Sequence, residues 1–301
     1  MTPTKVLITG AGGFLGAAAA RACRRLWPDA DIKGIDMRAG SPDVHATCDL
    51  TEKRGVSAIL HGFAPDVVFH MAGTTRNADW ATLWAANVLS LANTLDAVTE
   101  HSSGCRFVVP GSAAEYGDCG PSEGYLDESH ELRPSSPYGV SKAWQSLLAQ
   151  SYAARGAHVV IGRVFNLSGR GVPPQFVLGA VADQLRQIAA GENEPVVRLG
   201  DVSPVRDFID IDDACAALLT LAREGRPGHV YNVCSAEPCP VADAVRELVR
   251  LSGTGAQTLS DTPAPDRGGI SWSVGSNAKI LAETSWRPRA SLTESLRRML
   301  T

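Results

Sequence analysis

The sequence predicts an α/β protein built on a doubly wound parallel sheet, with a smaller and partly C-terminal portion beside it. Three observations lead there. Strand-like and helix-like segments alternate over the first 163 residues. The first strand-like run, Lys5-Val6-Leu7-Ile8-Thr9, is apolar and β-branched, as expected of a strand buried on both faces. It passes straight into Gly10-Ala11-Gly12-Gly13-Phe14-Leu15-Gly16, after which an Ala-rich helix runs from Ala17 to about Leu26. Glycines 10, 13 and 16 are three apart, which suits a tight turn, a backbone close to a pyrophosphate and a helix N-terminus facing its charge. This is the Rossmann-type, dinucleotide-binding variant of the architecture, although the spacing is GxxGxxG rather than GxGxxG.

The later elements follow the same rhythm. A strand from Asp31 to Ile35 ends in Asp36, twenty positions beyond Gly16. A carboxylate there can accept both ribose hydroxyls of an adenosine and repels a 2′-phosphate, which favours NAD; Arg38 could instead pair with that phosphate, so NADP stays open. Cys48-Asp49-Leu50-Thr51 forms a polar turn that brings Asp49 toward an adenine amine. The strand from Asp66 to His70 leads into Met71-Ala72-Gly73, small residues against which a cofactor can lie, and His70 reads as structural. From Trp80 to about Glu100 apolar residues at 80, 83, 84, 88, 91, 95 and 98 mark a long amphipathic helix, serving as core, as a dimer face or as both. Asn87 sits off that stripe.

A strand from Arg106 to Pro110 leads to Gly111-Ser112-Ala113-Ala114-Glu115-Tyr116-Gly117, placing Ser112 at the edge where open α/β sheets keep their ligands. Residues 118 to 137 form a loop over this edge. Next comes a helix to about Arg155 bearing Tyr138 and Lys142, whose spacing of four puts both side chains on one face. A free phenol has a pKa of about 10. A neighbouring ammonium, helped by a nicotinamide cation, would favour the phenolate and let Tyr138 exchange a proton with a carbinol oxygen while hydride moves at the carbon. A strand from His158 to Arg163 closes the alternation.

Beyond Val164 the pattern changes. A Gly- and Pro-rich loop (Ser168 to Pro174), a helix from about Gln175 to Ala190 and an extended Val196-Val197-Arg198-Leu199 precede Arg206-Asp207-Phe208-Ile209-Asp210. A helix from Asp212 to Arg223 and a strand from His229 to Val233 return to the main sheet, and a Pro-rich linker covers residues 262 to 268. The expected division is therefore a dinucleotide-binding domain of residues 1–163 with 206–233, and a substrate-binding domain of 164–205 and 234–301.

Composition narrows the function classes. Charged residues make up 20% and net charge is −4 with basic residues scattered, so no stripe points to nucleic acid. No apolar run reaches membrane-spanning length, and no signal peptide opens the chain. The seven cysteines contain no CxxC pair and read as reduced thiols of a cytoplasmic protein without a metal site.

The ordered set Thr9 to Gly16, Asp36, Asp49-Leu50, Ser112 with Tyr116-Gly117, Tyr138-Gly139-Val140-Ser141-Lys142, Arg163 to Asn166, Arg206 to Asp210 and Tyr231-Asn232-Val233 resembles the extended short-chain dehydrogenases/reductases. Within them it resembles the epimerase/dehydratase kind that acts on nucleotide sugars. The resemblance implies Tyr138 as acid/base and Lys142 as the group that holds the nicotinamide ribose and lowers the Tyr138 pKa. It implies Ser112 as a hydrogen-bonding partner of the sugar oxygen. Gly10, Gly13, Phe14, Leu15, Gly16, Asp36, Arg38, Asp49, Leu50 and Ala72 would line an NAD or NADP site. Asn166 and Arg206 would meet the nucleotide diphosphate sugar, the alternative for Arg206 being a salt bridge to Asp207 or Asp210, while Arg163 reads as structural. A homodimer through the helices at 80 to 100 and 138 to 155 is also implied.

The 4,6-dehydratases of this family carry a carboxylate two residues beyond the hydroxyl residue. Here that position is Ala114, and Glu115, on an extended segment, would point the other way. Two reactions remain, a 4-ketoreduction and a 4-epimerisation. The stretches 138–150, 173–177, 206–213 and 228–235 most resemble the GDP-4-keto-6-deoxymannose reductases. Those relatives carry Ser and an acid where this chain has Ala113 and Ala114, and an Arg-Pro-x-Asp run that is reduced here to Pro265-Asp266-Arg267-Gly268. A non-catalytic dinucleotide sensor is the alternative of a different class, and the intact Ser112, Tyr138 and Lys142 argue against it.

Overall fold

The computed structural model describes residues 2–75, 79–102, 104–260 and 270–301. The Pro-rich linker at 262 to 268, with Pro265-Asp266-Arg267-Gly268, lies outside these described residues.

Seven parallel strands form the central sheet: β1 (Lys5–Thr9), β2 (Asp31–Asp36), β3 (Ala46–Thr47), β4 (Val67–His70), β5 (Arg106–Ser112), β6 (His158–Val164) and the strand Val230–Val233. Their spatial order is Val230–Val233, β6, β5, β4, β1, β2, β3. The order reverses between β1 and β4, so a crevice opens beyond the carboxyl ends of those two strands. Residues alternate between the two faces. Val6 and Ile8 pack with helix α1 (Phe14–Leu26) and helix Ile211–Glu224, whereas Leu7 packs with α2 (Lys53–Phe63) and the long helix on the opposite side.

That long helix has three parts, α3 (Trp80–Leu83), a π-helical segment Trp84–Leu89 and α4 (Ser90–His101). Its stripe serves two purposes: Leu83, Val88, Leu91, Leu95 and Val98 are buried, and Trp80 and Trp84 are exposed. The helix α5 (Pro137–Ala153) follows the loop over the sheet edge. The sequence expectation shifts at several boundaries, notably at α1, which starts at Phe14 rather than Ala17, and at β5, which extends through Ser112; the two-residue β3 carries too little pattern to be read from sequence.

A second core gathers Val172, Leu178, Leu185, Val197, Val245, Leu248 and Leu296, all beyond β6. Phe14 packs against both cores. The strand Val230–Val233 pairs with β6 as expected. The segment Arg206–Asp210, allotted above to the dinucleotide-binding domain, forms the strand Val205–Asp210 of a small separate sheet. It pairs there with Asn166–Ser168, Pro238–Pro240 and Trp272–Ser273. The edge position beside β6 is already filled by Val230–Val233.

Among the described residues all seven cysteines are free thiols, six of them buried. No helix is long and apolar enough to cross a membrane, and no cluster of three or more metal-ligating side chains occurs among them.

Candidate active site

The glycine turn after β1 forms one wall of the crevice. Gly10 has φ +63, and a Cβ there would lie 2.6 Å from the Ala72 amide nitrogen at the end of β4. A Cβ on Gly16 would lie 2.0 Å from the Gly10 carbonyl oxygen, and one on Gly13 would lie 3.2 Å from it. At Gly10 and Gly16 only hydrogen lets α1 begin so close to β1. No side chain caps α1, so the amides of Phe14, Leu15 and Gly16 at its first turn are presented to the crevice.

Asp36 stands at the end of β2 beside this turn. Its carboxylate accepts from the Gly12 amide at 3.0 Å and the Arg38 amide at 3.2 Å, and the Arg38 side chain is exposed. Asp49 is exposed and accepts from the Thr51 amide and hydroxyl at 2.9 and 2.7 Å, while Leu50 is buried under it. Asn93 ties this turn down by donating to the Leu50 and Thr51 carbonyls, each at 2.9 Å. His70 is a buried strand-end imidazole between the hydroxyls of Thr9 and Ser90, and burial drives its pKa down to about 3.

The reactive side chains meet at the next strand end. Ser112 is the last residue of β5 and caps a 3-10 turn, Ala113–Glu115, its Oγ accepting from the Ala114 amide at 3.2 Å. Ser136 caps α5 by accepting from the Gly139 amide at 3.0 Å, and Pro137 occupies the first turn, so Tyr138 lies at the very start of the helix. Gly139 permits the closeness: a Cβ there would sit 2.4 Å from the Ala114 carbonyl oxygen. The Tyr138 phenol is half-buried next to Ser112. Burial pushes its pKa up to about 12, against a hydrogen bond with the Ser112 hydroxyl that pulls it down.

Lys142, from which the resemblance implied a lowering of the Tyr138 pKa, follows one helical turn on. The Lys142 ammonium donates to the Pro110 carbonyl at 2.6 Å and to the Gln145 side-chain carbonyl. Lys142 is itself buried, which lowers its pKa to about 8.

Two participants lay beyond the sequence reading. Asn87, inside the π-helical segment, donates to the Ser141 hydroxyl at 2.8 Å and the Thr74 carbonyl at 3.1 Å, and accepts from the Thr74 amide at 2.8 Å. It ties the turn after β4 to the helix turn between Tyr138 and Lys142. Glu115 is the other. It lies on a 3-10 turn rather than on an extended segment, and it points inward to a buried ion pair with Arg163. It therefore offers no carboxylate to a substrate, and Arg163 is structural, as expected.

The expected substrate residues lie on the small sheet. Asn166 donates to the Asp207 carbonyl at 3.0 Å. Arg206 bonds neither Asp207 nor Asp210; its guanidinium donates to the backbone carbonyls of Val205 and Ile270 at 3.0 and 2.6 Å. Asp207 instead holds the Ser235 amide and hydroxyl, the Ala236 amide and the Gly275 amide, and Asp210 holds Ser295 and Arg298. The salt-bridge alternative for Arg206 is thus absent, and the fork keeps donors available for an anion.

Residues 6–234 match the model of the NAD dependent epimerase/dehydratase family. The chain belongs to that family. It is 30% identical over 241 residues to the GDP-6-deoxy-D-mannose reductase of Pseudomonas aeruginosa, covering 78% of this chain and 79% of the relative. The structure of RMD from Pseudomonas aeruginosa complexed with NADPH superposes with a TM-score of 0.87 at 26% identity, over 99% of this chain and 96% of that one. The UDP-glucose 4-epimerase of Thermus thermophilus in complex with NAD gives 0.85 at 25% identity, over 98% and 97%. Family membership and the glycine turn agree on a nicotinamide dinucleotide as the cofactor of this fold.

The Asn87 bridge makes a measurable claim. Asn87→Ala removes three hydrogen bonds, one to a buried hydroxyl, and should lower the unfolding free energy in urea by about 1–3 kcal/mol. A change below about 0.5 kcal/mol would show that the bridge carries no stability.

Proposed function

We propose that this protein is an NAD(P)H-dependent reductase of the C4 ketone of a GDP-4-keto-6-deoxy sugar. The observation that carries the reading is the likeness to the Pseudomonas reductase in sequence and fold, in a chain whose Ser112, Tyr138 and Lys142 share one sheet edge. Dehydration is disfavoured because Ala114 has no carboxylate and Glu115 is tied to Arg163.

In this reading Gly10, Gly13, Phe14, Leu15 and Gly16 bind the pyrophosphate, Asp36 the adenosine ribose, and Asp49 with Leu50 the adenine end. Ala72 gives backbone contact beside the nicotinamide half. Arg38, exposed beyond Asp36, is the group available to a 2′-phosphate, which keeps NADPH beside NADH as reductant. Asn166 and Arg206 hold the nucleotide diphosphate sugar, the Arg fork suiting its phosphate oxygens. A nicotinamide held there would supply the hydride to C4. Tyr138, protonated at neutral pH with a pKa near 12, gives its proton to the C4 oxygen. The Ser112 hydroxyl, hydrogen-bonded to the Tyr138 phenol, would turn its proton to that same oxygen. Lys142, with a pKa near 8, is charged at neutral pH; it would hold the nicotinamide ribose and stabilise the phenolate left on Tyr138.

A 4-epimerase would use the same groups in both directions, and the Thermus epimerase likeness supports it as second reading. The free thiols support a reducing compartment, the cytoplasm. A homodimer fits the exposed cluster of Trp80, Trp84 and Trp144, in which the Trp144 ring lies 5.9 and 5.5 Å from the other two, with exposed Leu147 on the same helix as Trp144. Such a patch, on helices α3 to α5, suits a self-complementary two-fold interface.

Two experiments test these proposals. Purified protein should consume NADPH or NADH with GDP-4-keto-6-deoxymannose, and Tyr138→Phe should lower kcat by roughly 10²–10⁴-fold with cofactor affinity nearly unchanged. Wild-type turnover by Tyr138→Phe would refute the assignment, and co-purified, tightly held NAD with no net cofactor use would move it to the epimerase. Sedimentation equilibrium should give a dimer that Trp144→Glu splits; a monomeric wild-type protein would contradict the interface.

A further inference from the structure

Beneath Ser112 lies a charge pair that the proton transfer does not itself use. Glu115 is fully buried, and its Oε1 accepts from the Ser112 amide at 2.7 Å. Its Oε2 accepts from Nε and Nη2 of Arg163 at 3.1 and 3.0 Å. Arg163 also donates to the Tyr116 hydroxyl at 2.7 Å, and that hydroxyl donates to Asn232 at 2.8 Å. A Cβ on Gly111 would lie 2.6 Å from Glu115 Oε1, so the strand end is shaped around the carboxylate. Burying two charges is costly, and an apolar pair of the same volume would serve packing at least as well.

We propose that Glu115, clamped by Arg163, is a positioning residue of the reaction: it fixes the turn that presents Ser112 to Tyr138 and keeps a negative charge next to Tyr138 and Lys142. The proposal rests on the assignment of those three residues to the reaction. The reciprocal cap from Ser112 to Glu115 sets the backbone at Ala114, and that backbone is what Gly139 abuts. Moving the carboxylate therefore moves Ser112 relative to Tyr138.

The charge has a second effect. Glu115 favours the protonated forms of both Tyr138 and Lys142, which are the forms a ketone reduction needs. The other charged or titratable groups nearby do not titrate in the working range. Arg163 is held protonated by Glu115 and Tyr116, burial keeps the Tyr116 phenol at about 12, and His70, which meets Lys142 from β4, stays neutral above about 3.

The test compares Glu115→Gln with the double variant Glu115→Gln/Arg163→Met, which removes both charges and leaves no unpaired buried cation. With GDP-4-keto-6-deoxymannose and NADPH, kcat of both should fall about ten-fold while KM changes less than about two-fold. The alkaline limb of the kcat profile should move to lower pH, and NADPH affinity, followed by its fluorescence, should stay at the wild-type value. A double variant with wild-type kcat, or with reduced kcat and an unmoved alkaline limb, overturns the inference. Tyr138→Phe assayed in parallel separates the failures. If it is inactive while the Glu115 variants behave like wild type, only the positioning role falls; if it is active, the assignment beneath it falls as well.

Discussion

The site depends on how closely the first turn of α5 presses on the turn after β5. Contact between Gly139 and the Ala114 carbonyl brings a phenol from one element beside a hydroxyl from another. Any side chain at 139 would force the two elements apart. The caps on each side maintain this contact, since Ser112 begins the 3-10 turn and Ser136 begins the helix, each fixing where its element starts. Ser112, Tyr138 and Lys142 are thus held by backbone geometry before any ligand interaction is considered.

The electrostatics follow from the same burial. A half-buried phenol next to a hydroxyl and near a carboxylate stays protonated at neutral pH, which suits a proton donor. Lys142, turned to the Pro110 carbonyl and Gln145, is a cation in a dry setting that retains its proton at neutral pH. The glycine turn offers backbone amides at a helix start, with Asp36 at the end of β2 beside it, which suits the proposed dinucleotide. Arg206, proposed for the substrate, makes no carboxylate hydrogen bond among the described residues.

Much of this arrangement was legible in the sequence because it rests on local spacing read against strand ends. The glycine turn, Asp36 and Ser112 all fall where a parallel strand ends, and Tyr138 and Lys142 stand four apart on one helix. What escaped depends on contacts between distant residues. Glu115 and Arg163 are 48 positions apart, and Asn87 and Ser141 are 54 apart. The Asn87 side chain also lies in a π-helical segment, where a 3.6-residue periodicity no longer predicts direction. Arg206 and Asp207 are sequence neighbours, but on a strand successive side chains face opposite ways, so the ion pair left open as an alternative does not form. The Lys142 contacts escaped for another reason: helical spacing places it on the face of Tyr138 but does not say which oxygen its ammonium will choose.

Everything proposed for this sheet edge comes down to one hydride delivered to C4 of a keto sugar and one proton given by Tyr138 to its oxygen. Incubation with GDP-4-keto-6-deoxymannose and NADPH or NADH carrying deuterium at the transferable position, followed by NMR of the recovered sugar nucleotide, follows that hydride directly. A 4-hydroxy product bearing a single deuterium at C4 is expected. Recovery of the unchanged ketone, or of product with no deuterium at C4, would contradict it.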